Sequence, residues 1–190
     1  GEALVDYLSG APADSRFLFL ISGGASSLVE RLAGDADAAA LAALNEWLLA
    51  SGLDIGRMNA IRKRVSTIKG GRLARWLAGR RADVLLISDV PGDDPAVIGS
   101  GLLAPDHGQL ADAATVAALP GAIAPAPPAP SPGDALFATV HSRIVASNSM
   151  ARSAAAAAAA EQGWPVRSEP ALLRGEAATL GVDIAQALRA

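Results

Sequence analysis

The sequence predicts an α/β fold, a Rossmann-like parallel sheet with helices on both faces. Two apolar runs carry that expectation, Phe17-Leu18-Phe19-Leu20-Ile21 and Val84-Leu85-Leu86-Ile87. Each is continuous rather than alternating and ends in a polar, glycine-containing turn, as parallel strands buried on both sides do. The third observation is the material between and after them, whose helical periodicity makes strand and helix alternate along the chain. A length of 190 residues with 51% hydrophobic content allows one domain with a substantial core and excludes a disordered chain. Aromatics make up only 4%, so closely packed, alanine-rich helix and sheet must supply that core.

Residues 17–21 form the first strand and enter the tight turn Ser22-Gly23-Gly24. Asp35 can cap a helix bearing Leu41, Leu44 and Leu48 on one face and ending near Ser51-Gly52. Leu73, Trp76 and Leu77 give an i, i+3, i+4 face to a helix starting near Ser66. Gly70 and Gly71, inside or beside it, each cost roughly 1 kcal/mol relative to alanine. A close approach of the backbone to a ligand or a neighbouring strand would explain them. Residues 83–88 read as a second buried strand and 142–146 as a third, followed by a helix through the seven alanines of 154–160. Residues 165–168 read as a short strand and 177–188 as a last helix, with right-handed crossovers throughout. Six of the twelve prolines (Pro120, Pro125, Pro127, Pro128, Pro130 and Pro132) fall in 120–132, which must be a surface connection or a semi-rigid link. Trp47, Trp76 and Trp164 read as packing residues.

Net charge −3 argues against general nucleic-acid binding. No apolar run approaches the ~18 residues of a membrane span, no signal peptide opens the chain, and there is no cysteine. A cytoplasmic protein working on a small molecule, without nucleic acid or membrane, is the expectation. Nine basic residues (Arg57, Arg62, Lys63, Arg64, Lys69, Arg72, Arg75, Arg80 and Arg81) lie between 57 and 81 with no acidic one among them. The loop Ser88-Asp89-Val90-Pro91-Gly92-Asp93-Asp94 follows the second strand. Cations that hold anionic oxygens, beside carboxylates that hold Mg²⁺ or take a hydroxyl proton, suit phosphoryl transfer. Three polar loops, at 22–27, 88–94 and 146–149, should meet beyond the carboxyl ends of the strands, where such sheets bind ligands. Glycines in the first would let the backbone approach an anion, beside the free N–H groups of the following helix. Neither a Gly-x-x-x-x-Gly-Lys-[Ser/Thr] loop nor a Gly-x-Gly-x-x-Gly turn occurs. His107 and His141 lack partners at metal spacing and read as surface or structural residues.

Several stretches, in order, carry a resemblance. These are Phe19-Leu-Ile-Ser-Gly-Gly-Ala-Ser-Ser-Leu28, Leu48-Leu-Ala-Ser-Gly-Leu-Asp-Ile55, and Met58-Asn-Ala-Ile-Arg-Lys-Arg-Val-Ser-Thr-Ile-Lys-Gly-Gly-Arg-Leu-Ala74. Ile87-Ser-Asp-Val-Pro-Gly-Asp-Asp94, Ile98-Gly-Ser-Gly101, Pro105-Asp106, Ala146-Ser-Asn148 and Gly175-Glu-Ala177 follow. Together they resemble the two-domain glycerate 2-kinase family, whose smaller C-terminal part is called the MOFRL domain. The family reads Asn-x-Val-Arg-Lys-His-Leu-Ser-x-Ile-Lys-Gly-Gly-Arg-Leu-Ala where this chain has residues 59–74. Arg64 replaces that histidine, Ser100-Gly101-Leu102-Leu103 replaces Ser-Gly-Pro-Thr, and Gly23-Gly24-Ala25 replaces a triple glycine. The family's Gly-x-Gly-Lys-Ala stretch and its MOFRL domain do not appear. Residues 1–190 are therefore expected to be part of the large N-terminal α/β domain.

The resemblance implies phosphorylation of D-glycerate at its 2-hydroxyl, to 2-phosphoglycerate, with ATP and Mg²⁺. Ser22, Gly23, Gly24, Ser26 and Ser27 would cradle a phosphate or the glycerate carboxylate. Lys63, Lys69 and Arg72 would neutralise charge, with catalytic roles for both lysines. Asn59, Arg62 and Asn148 would contact substrate. Asp89 would be the base or a metal ligand, with Asp93 and Asp94 as competing metal ligands. A homodimer is compatible with this reading. The alternatives are a hydroxypyruvate reductase-type oxidoreductase and a non-catalytic anion-binding domain.

Overall fold

The computed structural model describes residues 1–108, 119–120, 123–168 and 175–188. They form two compact units, residues 1–147 and 148–190. The first unit is built on a parallel sheet of three strands, β1 (Phe17–Ser22), β2 (Ala82–Ile87) and β3 (Val140–Ala146), in the order β1-β2-β3. Phe17 lies opposite Ala82 and Ser22 opposite Ile87, so the ends of β1 and β2 are level. A register shift between Leu86 and Ile87 marks the end of the β2–β3 ladder. All three strands lie within two residues of the predicted bounds.

Phe17, Ile21, Val84 and Leu86 point into the main core, where Leu8 of α1 (Glu2–Gly10), Ile68, Leu73, Leu77, Ile98 and Leu103 meet them. Alternate residues on the strands, Leu18, Leu20 and Ile87, are exposed. Connections that step along a sheet in one direction, right-handed each time, fall on one face, which accounts for the one-sided cover within this unit.

The connection from β1 to β2 holds the short helix α2 (Ala25–Leu28), then α3 (Ala38–Ala50) and α4 (Ile55–Val65). Asp37, two residues beyond the expected Asp35, caps α3 by accepting from Ala40 N at 2.9 Å. Asp54 does the same for α4 from Arg57 N at 2.9 Å. Leu44 and Leu48 of α3 pack with Ile61 and Val65 of α4 in a second core, which Leu119 and Ile123 complete. Ala33 N donates to Val65 O and Thr67 N to Arg31 O, tying the end of α4 to the segment after α2.

The helix expected from Ser66 does not form. Gly70 (φ +60°) and Gly71 (φ +78°) take left-handed conformations that end regular helix, and a 3₁₀ helix, Arg72–Leu77, follows. Ala74 and Leu77 are buried there, their i, i+3 spacing placing them on one side of a 3₁₀ turn, and Leu73 is buried beside them. The glycines are positioned by a neighbouring loop. Gly70 N donates to Ser100 O at 3.0 Å and Gly71 N to Gly101 O at 2.6 Å. The proline-rich segment is pinned rather than free. Arg72 Nε donates to Pro127 O at 2.7 Å, Arg75 Nη2 to Pro128 O at 2.6 Å, and Ala126 N to Arg64 O at 2.8 Å. Proline lacks the N–H but keeps the carbonyl, so two proline carbonyls and the N–H of Ala126 hold this strap in place.

The second unit contains α5 (Asn148–Glu161) and α6 (Ala177–Ala187), the latter capped by Glu176, which accepts from Thr179 N at 2.9 Å. Residues 165–168 form no strand, and Trp164 is exposed rather than a packing residue. Trp47 and Trp76 do pack, the latter beneath the Arg31 guanidinium. His107 and His141 are exposed. No helix among the described residues is long and apolar enough to cross a membrane.

Two glycines separate backbone strain from close approach. A Cβ on Gly71 would sit 2.8 Å from both Ala104 O and Phe137 Cζ, whereas one on Gly52 (φ +69°) would meet nothing within 4 Å. Gly71→Ala should cost about 2–5 kcal/mol, left-handed strain plus overpacking. Gly52→Ala should cost only about 1–2 kcal/mol, the strain alone. Urea unfolding of the two variants checks the difference.

Candidate functional site

The carboxyl ends of β1 and β2 bring two of the predicted loops together. Gly23 follows β1 and Asp89 follows β2 by two residues, and the Asp89 carboxylate lies so close to Gly23 that any Cβ there would collide with it. Glycine is required at 23 for this approach. Asp89 is exposed and has no hydrogen bond or ion pair among the described residues. Of its two rivals, Asp94 has its carboxylate engaged in the turn and Asp93 only its backbone. Asp94 Oδ1 accepts from Ala96 N at 2.8 Å, and Asp93 (φ +54°) donates its N–H to Val90 O across Pro91-Gly92. Ser22 is exposed, whereas Ser88 is buried and its hydroxyl bonds within the turn, to Val90.

The glycine-rich loop offers less free backbone than its sequence promised. Ser26 N already donates to Gly23 O, and Ser27 N and Leu28 N to Gly24 O. Helix α2 has four residues, too short to present an anion-binding terminus. Ser27 Oγ donates to Gly24 O at 3.0 Å, and Ser26 Oγ lies 2.6 Å from Ser100 Oγ. Ser100 is buried with φ +61°, an uncommon conformation for a residue with a side chain.

Several cations predicted to meet substrate are turned inward. Lys69 is 1% exposed, and its ammonium donates to Ser26 O at 2.7 Å and Glu30 Oε2 at 2.6 Å. Lys63 donates to Ala96 O at 3.0 Å and Asp106 Oδ1 at 2.9 Å. Arg72, fully buried, gives Nη1 to Lys63 O and Lys69 O besides its bond to Pro127. Burial pushes this guanidinium down to about 10, with the Arg75 charge acting in the same direction and Asp106 opposing, so it stays cationic at neutral pH. Arg80 ties α1 to the 3₁₀ helix by donating to Leu8 O and Trp76 O, and it covers the Phe17 ring. Each of these cations satisfies carbonyls that no helix or ladder satisfies.

Arg62, by contrast, faces a cavity. A space of about 220 Å³ is lined by Ser26, Ser27, Glu30, Leu41, Asn45, Leu49, Arg62 and Lys69. Of the expected site residues, it gathers Ser26, Ser27, Arg62 and Lys69. Glu30 and Asn45 are additions that local sequence did not reveal, since their partners lie 39 and 17 residues away. Asn59 is half-buried on α4, outside this lining, and Asn148 opens α5 in the second unit. A larger hollow of about 470 Å³, lined by Tyr7, Pro12, Arg16 and Phe17 among others, lies at the amino end of β1. Parallel sheets bind ligands at the opposite end, so the smaller cavity is the candidate site. No group of three metal-ligating side chains occurs among the described residues.

Residues 1–128 match the family model described as "Domain of unknown function (DUF4147)". The chain belongs to this family. It is 39% identical over 189 residues to a protein of Agrobacterium vitis provisionally named a hydroxypyruvate reductase, covering 95% of this chain and 42% of that one. It is 37% identical over 115 residues to the glycerate 2-kinase of Sulfurisphaera tokodaii, covering 60% and 27%. The crystal structure of glycerate kinase from Thermotoga maritima superposes with a TM-score of 0.64 at 26% identity, over 85% of this chain and 40% of that one. The glycerate kinase resemblance of the sequence motifs therefore holds, as does the α/β fold. The chain spans less than half the length of each of these relatives.

Removing a cation from an inward pair leaves a buried carboxylate alone. Lys63→Met strands Asp106, whose side chain is 5% exposed, and should cost about 3–5 kcal/mol. Arg57→Met breaks an exposed pair with Asp54 and should stay within about 1 kcal/mol. Chemical denaturation of both variants tests whether the basic cluster is structural at Lys63.

Proposed function

We propose that the protein works as an ATP-dependent glycerate 2-kinase, phosphorylating the 2-hydroxyl of D-glycerate to give 2-phosphoglycerate. The activity is proposed for a protein of the relatives' full length. One observation carries the proposal within this chain: Asp89 is an unpaired carboxylate fixed at the carboxyl end of β2 against the glycine-rich loop. The names of the glycerate kinase relatives supply the substrate and the transferred group.

In this reading Asp89 accepts the proton of the 2-hydroxyl as that oxygen bonds to the γ-phosphorus and the bond to the departing ADP breaks. Asp89 is held by the strand end rather than by a mobile loop, which keeps its geometry constant. Lys69 and Lys63 act as positioning residues. Lys69 holds the carbonyl of Ser26, and Lys63 holds the carbonyl of Ala96 in the segment after Asp94. Mg²⁺ would be held by phosphate oxygens and by the Asp93 carboxylate, which has no partner among the described residues. Mg²⁺ would neutralise phosphate charge there, and ATP would supply the phosphoryl group.

The name of the Agrobacterium relative favours a second reading, reduction of hydroxypyruvate. Against it stands the loop after β1, which lacks a dinucleotide fingerprint and leads into a four-residue helix.

With the intact polypeptide, ATP, Mg²⁺ and D-glycerate, Asp89→Asn should reduce turnover by about 10²-fold or more, the scale of a lost general base. Unfolding stability should change little. Near-normal turnover would move the role away from Asp89. No phosphoglycerate from the wild type, together with NADH-dependent reduction of hydroxypyruvate, would establish the second reading instead. Inertness in both assays points to the anion-binding domain.

A further inference from the structure

The cavity lining has a charge imbalance. Lys69 and Glu30 compensate each other at 2.6 Å, which leaves Arg62 as the uncompensated charge of the wall. No carboxylate among the described residues lies within ion-pair distance of Arg62. Its guanidinium is half-buried and donates from Nη2 to Asn45 Oδ1 at 3.2 Å, so the planar group is held while its other donors remain available.

Asn45 stands on α3 one helical turn from Leu41 and one from Leu49, and all three line the cavity. Spacing of i, i+4 puts them on one face, so the element that orients Arg62 also supplies the apolar wall. The volume of about 220 Å³ is below the ~300–1,000 Å³ of sites for drug-sized ligands. A small anion with a short apolar or hydroxylated body suits it. Ser26 and Ser27, opposite that wall, belong to the loop whose Gly23 touches Asp89.

We propose that Arg62, oriented by Asn45, binds the carboxylate of a short 2-hydroxy acid in this cavity and makes it the acceptor subsite. The identity of the acid rests on the kinase reading above. A planar fork matches a carboxylate with two parallel hydrogen bonds, which a lysine cannot reproduce.

The test uses the intact polypeptide. Arg62→Gln should raise KM for D-glycerate by about 10²-fold, the loss of a charge-assisted bidentate contact, with kcat and KM for ATP nearly unchanged. Arg62→Lys should restore only part of the loss, and Asn45→Ala should raise KM for the acid by about tenfold. Circular dichroism and thermal unfolding establish that the variants are folded. Calorimetric titration of D-glycerate without ATP reads the same contact independently of catalysis, and Arg62→Gln should weaken it to the same degree.

Glycerate binding that depends on Arg62 in a protein without phosphoryl transfer would sustain the subsite and overturn the kinase reading. Phosphoryl transfer with an unchanged KM for glycerate in a folded Arg62→Gln variant would overturn the subsite alone. A rise confined to KM for ATP would also overturn it, by assigning Arg62 to phosphate. A wild type that neither binds nor phosphorylates glycerate removes both.

Discussion

The ammonium of Lys69, enclosed between the carbonyl of Ser26 and the carboxylate of Glu30, is the contact on which the site's architecture rests. It ties the turn that follows α4 to both ends of α2, beside the backbone bonds that join that turn to the chain at Arg31 and Ala33. Buried carbonyls need donors, and irregular backbone leaves many of them unpaired. A lysine with three donors on a flexible stem can serve two acceptors from different segments at once. Charge compensation by Glu30 is what allows the ammonium to be there, because an unpaired buried cation would be strongly unfavourable.

The same solution recurs around the first unit. Lys63 joins α4 to the segments at Ala96 and Asp106, Arg72 joins the strap at Pro127 to the end of α4, and Arg80 joins α1 to the turn before β2. The glycines that make these approaches possible lie beside the cations. Gly70 and Gly71 reach the loop at Ser100 and Gly101, and Gly101 (φ +64°) has Ala96 O beside the position a Cβ would take. At the carboxyl ends of β1 and β2, Asp89 has no partner among the described residues, and Arg62 keeps donors beyond its bond to Asn45.

Much of this was legible in the sequence. The apolar runs gave strands β1 and β2 nearly to the residue, because a continuous hydrophobic segment bounded by turn residues has few other solutions. Asp89 stood out by following the second run. The basic cluster was equally visible, but a sequence shows the sign of a charge and not the direction in which it points. The partners of Lys69 and Lys63, Glu30 and Asp106, lie 39 and 43 residues away in the chain, beyond the reach of local pattern. The stretch 66–77 misled for a related reason: Leu73, Trp76 and Leu77 fit an α-helical face, while Gly70-Gly71 had already broken the helix. The prolines pointed to a surface link, and only the arginine donors opposite their carbonyls show that it is fastened.

A double-mutant cycle on Lys69 and Glu30, read by urea unfolding without any ligand, tests most directly whether this framework is structural. Lys69→Met and Glu30→Gln should each destabilise the protein, and the cycle should return a coupling of about 2–3 kcal/mol, as expected for a buried, hydrogen-bonded pair. A coupling within about 0.5 kcal/mol of zero, the range of independent sites, would contradict the account. Lys69 would then have no structural partner in Glu30.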